Sequence, residues 1–233
     1  MSYCFLSRGE GEPLLFLHGY LSCKESFLPQ IEYFSRFYRV IAPDFPGMGG
    51  AESLQTPMSV DDYTDWTEAF MRAQGIENPL VIAHSFGGRV AVKLLARGKV
   101  KGAVLTGCAG IVPKRTLRYK LKVRTYRICR KIAPWYAEKH FGSAEYRSLS
   151  PVMRESYKKI VNEDLREEAK TIDRPVLFIN GDKDGETPVS SAKIYTACVK
   201  NSRLFIMKDC GHFAHLENPL AFQLAAEEFF HEV

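Results

Sequence analysis

Leu80-Val81-Ile82-Ala83-His84-Ser85-Phe86-Gly87-Gly88 decides how this chain is read. Apolar residues run for the length of a strand, stop at a polar pair and give way to glycines. Arg89-Val90-Ala91-Val92-Lys93-Leu94-Leu95-Ala96 follows with the character of a helix. The stretch spells strand, sharp turn and helix, with a hydroxyl at the apex of the turn. A serine held there projects its oxygen beyond the carboxyl edge of a sheet. Ala83 and Gly87, two positions either side, are small enough to let strand and helix approach. Against the pattern Gly-x-Ser-x-Gly the only departure is Ala83, one methyl group.

A serine nucleophile requires a base, and the base requires an acid that orients it. Two further apolar runs end in polar loops downstream. Pro175-Val176-Leu177-Phe178-Ile179-Asn180 leads into Gly181-Asp182-Lys183-Asp184, which offers two carboxylates. Leu204-Phe205-Ile206-Met207 leads into Asp209-Cys210-Gly211-His212-Phe213-Ala214-His215, which offers two imidazoles. Hydroxyl, carboxylate and imidazole therefore occur in that chain order, each just past a strand.

In these features the chain resembles the α/β-hydrolase fold family. Besides Ala-His-Ser-Phe-Gly-Gly, the resemblance rests on His18-Gly19-Tyr20 after Leu14-Leu15-Phe16-Leu17. It rests also on Asp44-Phe45-Pro46-Gly47-Met48-Gly49-Gly50, on Gly181-Asp182-Lys183-Asp184 with Pro188 beyond it, and on Gly211-His212. Ala51 stands where the second of these motifs usually has Ser. The order Ser, Asp, His is that family's order. The resemblance implies Ser85 as nucleophile, His212 as base and Asp184, by register, rather than Asp182 as acid. It implies an oxyanion hole made by the backbone N–H groups of Tyr20 and Phe86. It also implies a variable cap after the sixth strand. Within the family the chain looks most like small bacterial carboxylesterases and carbon–carbon bond hydrolases.

The expected architecture is α/β, a mostly parallel central sheet with helices on both faces. Strands are expected at 3–7, 14–18, 38–43, 80–84, 101–106, 175–180 and 203–208. Helices are expected near 24–37, 59–74, 86–97, 189–199 and 219–231. Only 17 residues precede His18, so the first edge strand should be short or missing. In the last helix Asn218 caps, Pro219 takes the first turn, and Leu220, Leu224 and Phe229 suggest the apolar stripe. Residues 1–112 and 172–233 then form the core, and 113–171 a helical cap with Leu117, Leu121, Ile128 and Ile132 near four-residue spacing. Trp135 and Tyr136 are candidates for an acyl pocket or for packing within the cap.

The chain's net charge of +5 is unevenly placed. Residues 113–171 hold 16 Lys and Arg against 7 Asp and Glu, and the remainder is net negative. A solvated helix face, an anionic substrate and an acidic membrane surface are the readings of that excess. Nucleic acid is not an expected partner, since no nucleic-acid fold accompanies the patch. No apolar run reaches the roughly 18 residues of a membrane span, and no signal peptide is visible. The six cysteines lack paired or metal-binding spacing, which suits reduced, mostly buried thiols in a cytoplasmic protein. Cys210 reads as a small core residue despite its closeness to His212.

No metal or other cofactor is expected. Asp61 and Asp62 suit a helix N-terminus. His18 suits a structural role behind the oxyanion loop, and His84 is a neighbour on the elbow. His215 is expected at the entrance or on the surface, and the Tyr20 ring at the pocket wall, its hydroxyl available to a substrate. The function read from the chain is ester hydrolysis of a small acyl substrate, an anionic one among the candidates, through Ser85, His212 and Asp184. Carbon–carbon bond hydrolysis with the same residues is the first alternative, and a catalytically silent ligand-binding protein the second. The rate should fall as His212 takes a proton, at an ordinary histidine value of about 6 to 7.

Overall fold

The computed structural model describes residues 3–113, 146 and 148–233. Seven strands form one sheet: β1 (Phe5–Arg8), β2 (Pro13–Leu17), β3 (Arg39–Pro43), β4 (Leu80–His84), β5 (Gly102–Thr106), β6 (Val176–Gly181) and β7 (Ser202–Met207). Their spatial order is β1-β3-β2-β4-β5-β6-β7. All neighbours run parallel except the short edge strand β1, which pairs antiparallel with β3. Strands β4 and β5 are buried along their whole length, which is why each reads as an unbroken apolar run.

Helices cover both faces: α1 (Leu28–Phe34), α2 (Val60–Ala73), α3 (Phe86–Ala96), α4 (Pro151–Asn162), α5 (Arg166–Lys170), α6 (Val189–Cys198), α7 (Ala214–Glu217) and α8 (Pro219–Phe230). The period of two sorts the strand residues between two cores. Leu15, Leu17, Val81, Ala83 and Leu105 pack on the side of α2 and α3. Leu14, Phe16, Leu80, Ile82 and Val104 pack against Phe34 of α1 and Phe222 of α8 on the other. The α2 N-terminus is closed by a capping box, in which the Ser59 side chain accepts from Asp62 N and Asp62 accepts from Ser59 N.

Two sequence expectations need correction. The helix expected over 24–37 is a 3-10 turn, Lys24–Phe27, followed by the seven-residue α1, with Pro29 in the first turn of the latter. Asn218 does cap α8, but Leu220 and Leu224 are 61% and 51% exposed. Phe229 is buried as expected, but its neighbours in the packed face are Phe222, Ala226 and Phe230, so the stripe facing the sheet lies nearly half a turn from Leu220 and Leu224. The insertion leaves the sheet after β5, the fifth of the described strands. Its described part holds α4 and α5. Leu117, Leu121, Ile128, Ile132, Trp135, Tyr136 and Cys129 lie outside the described residues. The described part of the insertion carries five basic and five acidic side chains, so the whole basic excess belongs to the rest of it. Of the five described cysteines, Cys108 and Cys210 are buried, while Cys4, Cys23 and Cys198 are only half-buried.

Candidate active site

The elbow is built by close approach. A Cβ added to Gly87 would lie 2.1 Å from the Leu17 carbonyl oxygen, so α3 can start beside β2 only with glycine there. Ser85 ends up between β4 and α3 with φ 51° and ψ −108°. A positive φ in a residue with a side chain costs roughly 1–3 kcal/mol, and the surrounding bonds hold it. Ser85 N donates to Thr106 O at 3.1 Å, and Ser85 O accepts from Gly88 N and Ala109 N.

The loop after β6 delivers a buried carboxylate. Asp184 is 5% exposed, whereas Asp182 faces solvent. Asp184 Oδ1 accepts from the N–H groups of Glu186 and Thr187, both at 2.9 Å. Its Oδ2 accepts from Thr187 Oγ1 at 2.7 Å and from His212 Nδ1 at 2.9 Å. Burial pushes the Asp184 pKa up, but the bonds from His212 and Thr187 outweigh it and hold the carboxyl below its usual range. Thr187 carries no marker in the sequence beyond its place before Pro188. It is positioned in turn by Asn180, whose Nδ2 donates to Thr187 O at 2.7 Å.

The loop after β7 carries His212. Glu217 accepts from Gly211 N at 2.7 Å and from Phe213 N at 3.3 Å, gripping the backbone on both sides of the imidazole. Gly107, at φ +52°, leaves room for the ring; a Cβ there would stand 3.1 Å from His212 Nδ1. Because Nδ1–H is given to Asp184, Nε2 is the nitrogen free to take a proton. Glu186 Oε2 lies 3.5 Å from that Nε2. Burial lowers the His212 pKa, but Asp184, Glu186 and Glu217 together raise it above the ordinary value.

The upward direction sets the sign of a test. Below its raised pKa His212 is an imidazolium and cannot accept a proton, so with His212 as base the rate should fall on acidification, and sooner than for an ordinary histidine. Glu186→Gln removes one carboxylate that favours the imidazolium. The acid limb of kcat/KM should then move to lower pH by a few tenths of a unit or more. A limb that stays put or moves to higher pH contradicts this account of Nε2.

His18 prepares the opposite wall. Phe45 N donates to His18 Nε2 at 3.1 Å, so the proton sits on Nδ1, which donates to Gly19 O at 2.7 Å. Burial lowers the His18 pKa and keeps this ring neutral. Peptide planarity then turns the Tyr20 N–H away from the Gly19 carbonyl. Phe86 N is the first N–H of α3, one of the donors a helix leaves unpaired. The Tyr20 hydroxyl is not available as expected, because it donates to Met153 O of α4 at 3.1 Å. His215 is not at the entrance either. It is fully buried, with ring contacts to Phe27 at 4.9 Å and His84 at 4.8 Å. His84 Nε2 donates to the His212 backbone carbonyl at 3.1 Å, which ties the elbow to the loop carrying the imidazole.

Ser85, His212, Tyr20 and Phe86 line one cavity of about 730 Å³, together with Arg89 and Glu186. Tyr146, Tyr157, Leu149 and Ile160 of the insertion supply an aromatic and apolar wall to it. Among the described residues no cluster of His, Cys, Asp or Glu has the arrangement of a metal site. No helix among them is long and apolar enough to cross a membrane.

The sequence model of the alpha/beta hydrolase family matches residues 14–225. The chain is 35% identical to (E)-2-((N-methylformamido)methylene)succinate hydrolase of Acinetobacter baylyi, over 37% of this chain and 33% of that one. It is 23% identical to 2-hydroxy-6-oxo-6-(2'-aminophenyl)hexa-2,4-dienoic acid hydrolase of Metapseudomonas resinovorans, over 97% of this chain and 86% of the relative. Among solved structures, the meta-cleavage product hydrolase CumD of Pseudomonas fluorescens IP01 superposes with a TM-score of 0.76 at 25% identity. That match covers 98% of this chain and 93% of CumD.

Proposed function

The chain belongs to the α/β-hydrolase family, and from that premise we propose that it is a serine hydrolase cleaving a small carboxylic ester. The observation that carries this reading is the buried pair of Asp184 and His212, opening with Ser85 onto one cavity. In the proposed reaction Ser85 Oγ attacks the carbonyl carbon while His212 Nε2 takes the hydroxyl proton. The N–H groups of Tyr20 and Phe86 receive the oxyanion, an interaction worth roughly 3–4 kcal/mol per donor in such sites. His212 passes the proton to the departing alkoxide, releasing the alcohol. A water then attacks the acyl-enzyme, giving its proton to His212, and collapse returns that proton to Ser85 and frees the acid. In this reading Tyr146, Leu149, Tyr157 and Ile160 belong to a cap over the cavity.

Carbon–carbon bond hydrolysis is the second reading, favoured by the likeness to CumD along nearly the whole chain. A fluorophosphonate probe separates either enzyme from a silent ligand-binding protein. Stoichiometric labelling of Ser85 is expected, and an unlabelled Ser85 in folded protein overturns the serine-hydrolase reading. Turnover of p-nitrophenyl esters of increasing chain length, set beside a vinylogous 1,5-diketone acid of the meta-cleavage type, then ranks the two chemistries. The names of the Acinetobacter and Metapseudomonas relatives both describe acids, which favours a carboxylate on the substrate here as well.

A further inference from the structure

Four polar side chains follow one another at four-residue spacing along α3 and its N-terminus: Ser85, Arg89, Lys93 and Arg97. That spacing puts them on one face, each about 6 Å further along the helix. The three cations have very different surroundings. Lys93 Nζ lies 2.6 Å from Glu163, 2.9 Å from Asp61 and 3.6 Å from Glu168. Arg97 lies 2.6 Å from Asp65 and 2.9 Å from both Asp61 and Glu68. Arg89 is only 7% exposed, yet its one hydrogen bond among the described residues runs from Nη1 to the backbone carbonyl of Glu163, at 2.8 Å. No carboxylate among those residues is within ion-pair distance of it. The two nearest in sequence to that carbonyl are committed elsewhere: Glu163 to Lys93, and Asp164 to Arg166.

A guanidinium taken out of water is expensive unless a counter-charge meets it. Among the described residues, carboxylates converge on Lys93 and Arg97 and none pairs with Arg89, which is as buried as Lys93. Arg89 is also the one that lines the cavity with Ser85 and His212. From this contrast we infer that Arg89 is a binding group for a carboxylate carried on the acyl part of the substrate. The inference rests on the hydrolase reading and narrows it: the ester is the half-ester of a short diacid. The guanidinium fork fits a carboxylate with two parallel N–H donors, while Nη1 keeps its bond to Glu163 O. Glu186 complements this arrangement, since its charge beside His212 Nε2 disfavours a carboxylate on the leaving-alcohol side of the ester.

The test compares the mono-p-nitrophenyl ester of succinic acid with the p-nitrophenyl ester of pentanoic acid. Wild-type protein should favour the anionic ester in kcat/KM. Arg89→Gln keeps a donor for Glu163 O and removes the charge, so the anionic-to-neutral ratio should fall about 10- to 100-fold. A ratio within about threefold of wild type, with both esters slowed alike, makes Arg89 a clamp on the insertion and overturns the proposal. The preference should persist in high salt, because a buried pair is screened little. A preference abolished by salt instead assigns it to the net basic charge of residues 113–171, and also overturns the proposal.

Calorimetry with succinate and succinamide decides the same point without turnover. Wild-type protein should bind succinate at least about tenfold more tightly than succinamide. Equal or undetectable binding of the two removes the carboxylate site whether or not Arg89→Gln folds. Should the fluorophosphonate probe leave Ser85 unlabelled while succinate still binds through Arg89, the hydrolase reading falls and the anion site stands.

Discussion

Ser85→Ala is expected to lower kcat/KM by at least about a thousandfold on any ester the protein turns over. Residues that act as one catalytic unit lose nearly everything when one is removed, because the remaining members have no atom to activate. The fold should survive. Ser85 makes its described bonds through its backbone, to Thr106, Gly88 and Ala109, and alanine keeps all of them. The backbone angle that strains serine strains alanine equally, so thermal unfolding should be unchanged within about 1 kcal/mol. Steady-state rates and a melting curve on the same preparation check both halves. Retained turnover above about one thousandth of wild type removes Ser85 from the reaction.

Asp184→Asn should cost about as much, near ten-thousandfold in kcat. An asparagine can still accept the N–H bonds of Glu186 and Thr187 through its oxygen. Its NH2 group then faces His212 Nδ1, where the aspartate has Oδ2. A donor there forces Nδ1 to be the acceptor and moves the ring proton to Nε2, so the imidazole can no longer take the serine proton. Asp182→Asn removes a solvent-facing carboxylate two residues away and should change the rate less than about threefold. The opposite ranking of the two variants makes Asp182 the acid.

How far the sequence carries the fold depends on where side chains are decided. Strands β4 and β5 were legible because burial on both faces leaves no polar residue to interrupt them. The stripe of α8 was not, because leucine at positions 220 and 224 is apolar on whichever face it lies, and the packed face is chosen by Phe222 and Phe230 meeting α1 and the sheet. His215 resembles His212 in type and loop. What separates them is a contact with Phe27, nearly two hundred residues earlier in the chain, which no local pattern contains.

The candidate site divides in the same way. The stretches that carry Ser85, Asp184 and His212 stood out because each follows a strand, and the family's register singled out Asp184 from Asp182. Arg89 was hidden inside an apolar helix. Its meaning lies in which acids fail to reach it, and that requires knowing that Asp61, Glu163 and Glu168 converge on Lys93. Its four-residue spacing from Ser85 was the one signal present in the sequence. Thr187 gave none, since its hydroxyl matters only once the turn folds it back on Asp184.

The left-handed backbone at Ser85 has an evolutionary consequence. Glycine would occupy φ 51° with less strain than any residue bearing a Cβ. The strain relieved, roughly 1–3 kcal/mol, outweighs glycine's extra entropy cost of roughly 0.5–1 kcal/mol, so folding stability alone would favour glycine there. Only a requirement for the hydroxyl itself opposes that slope. A lineage that kept this scaffold merely to hold a ligand would be released to relax the turn. On the proposed reading, the serine at this apex is a stability cost that its hydroxyl's part in the reaction justifies.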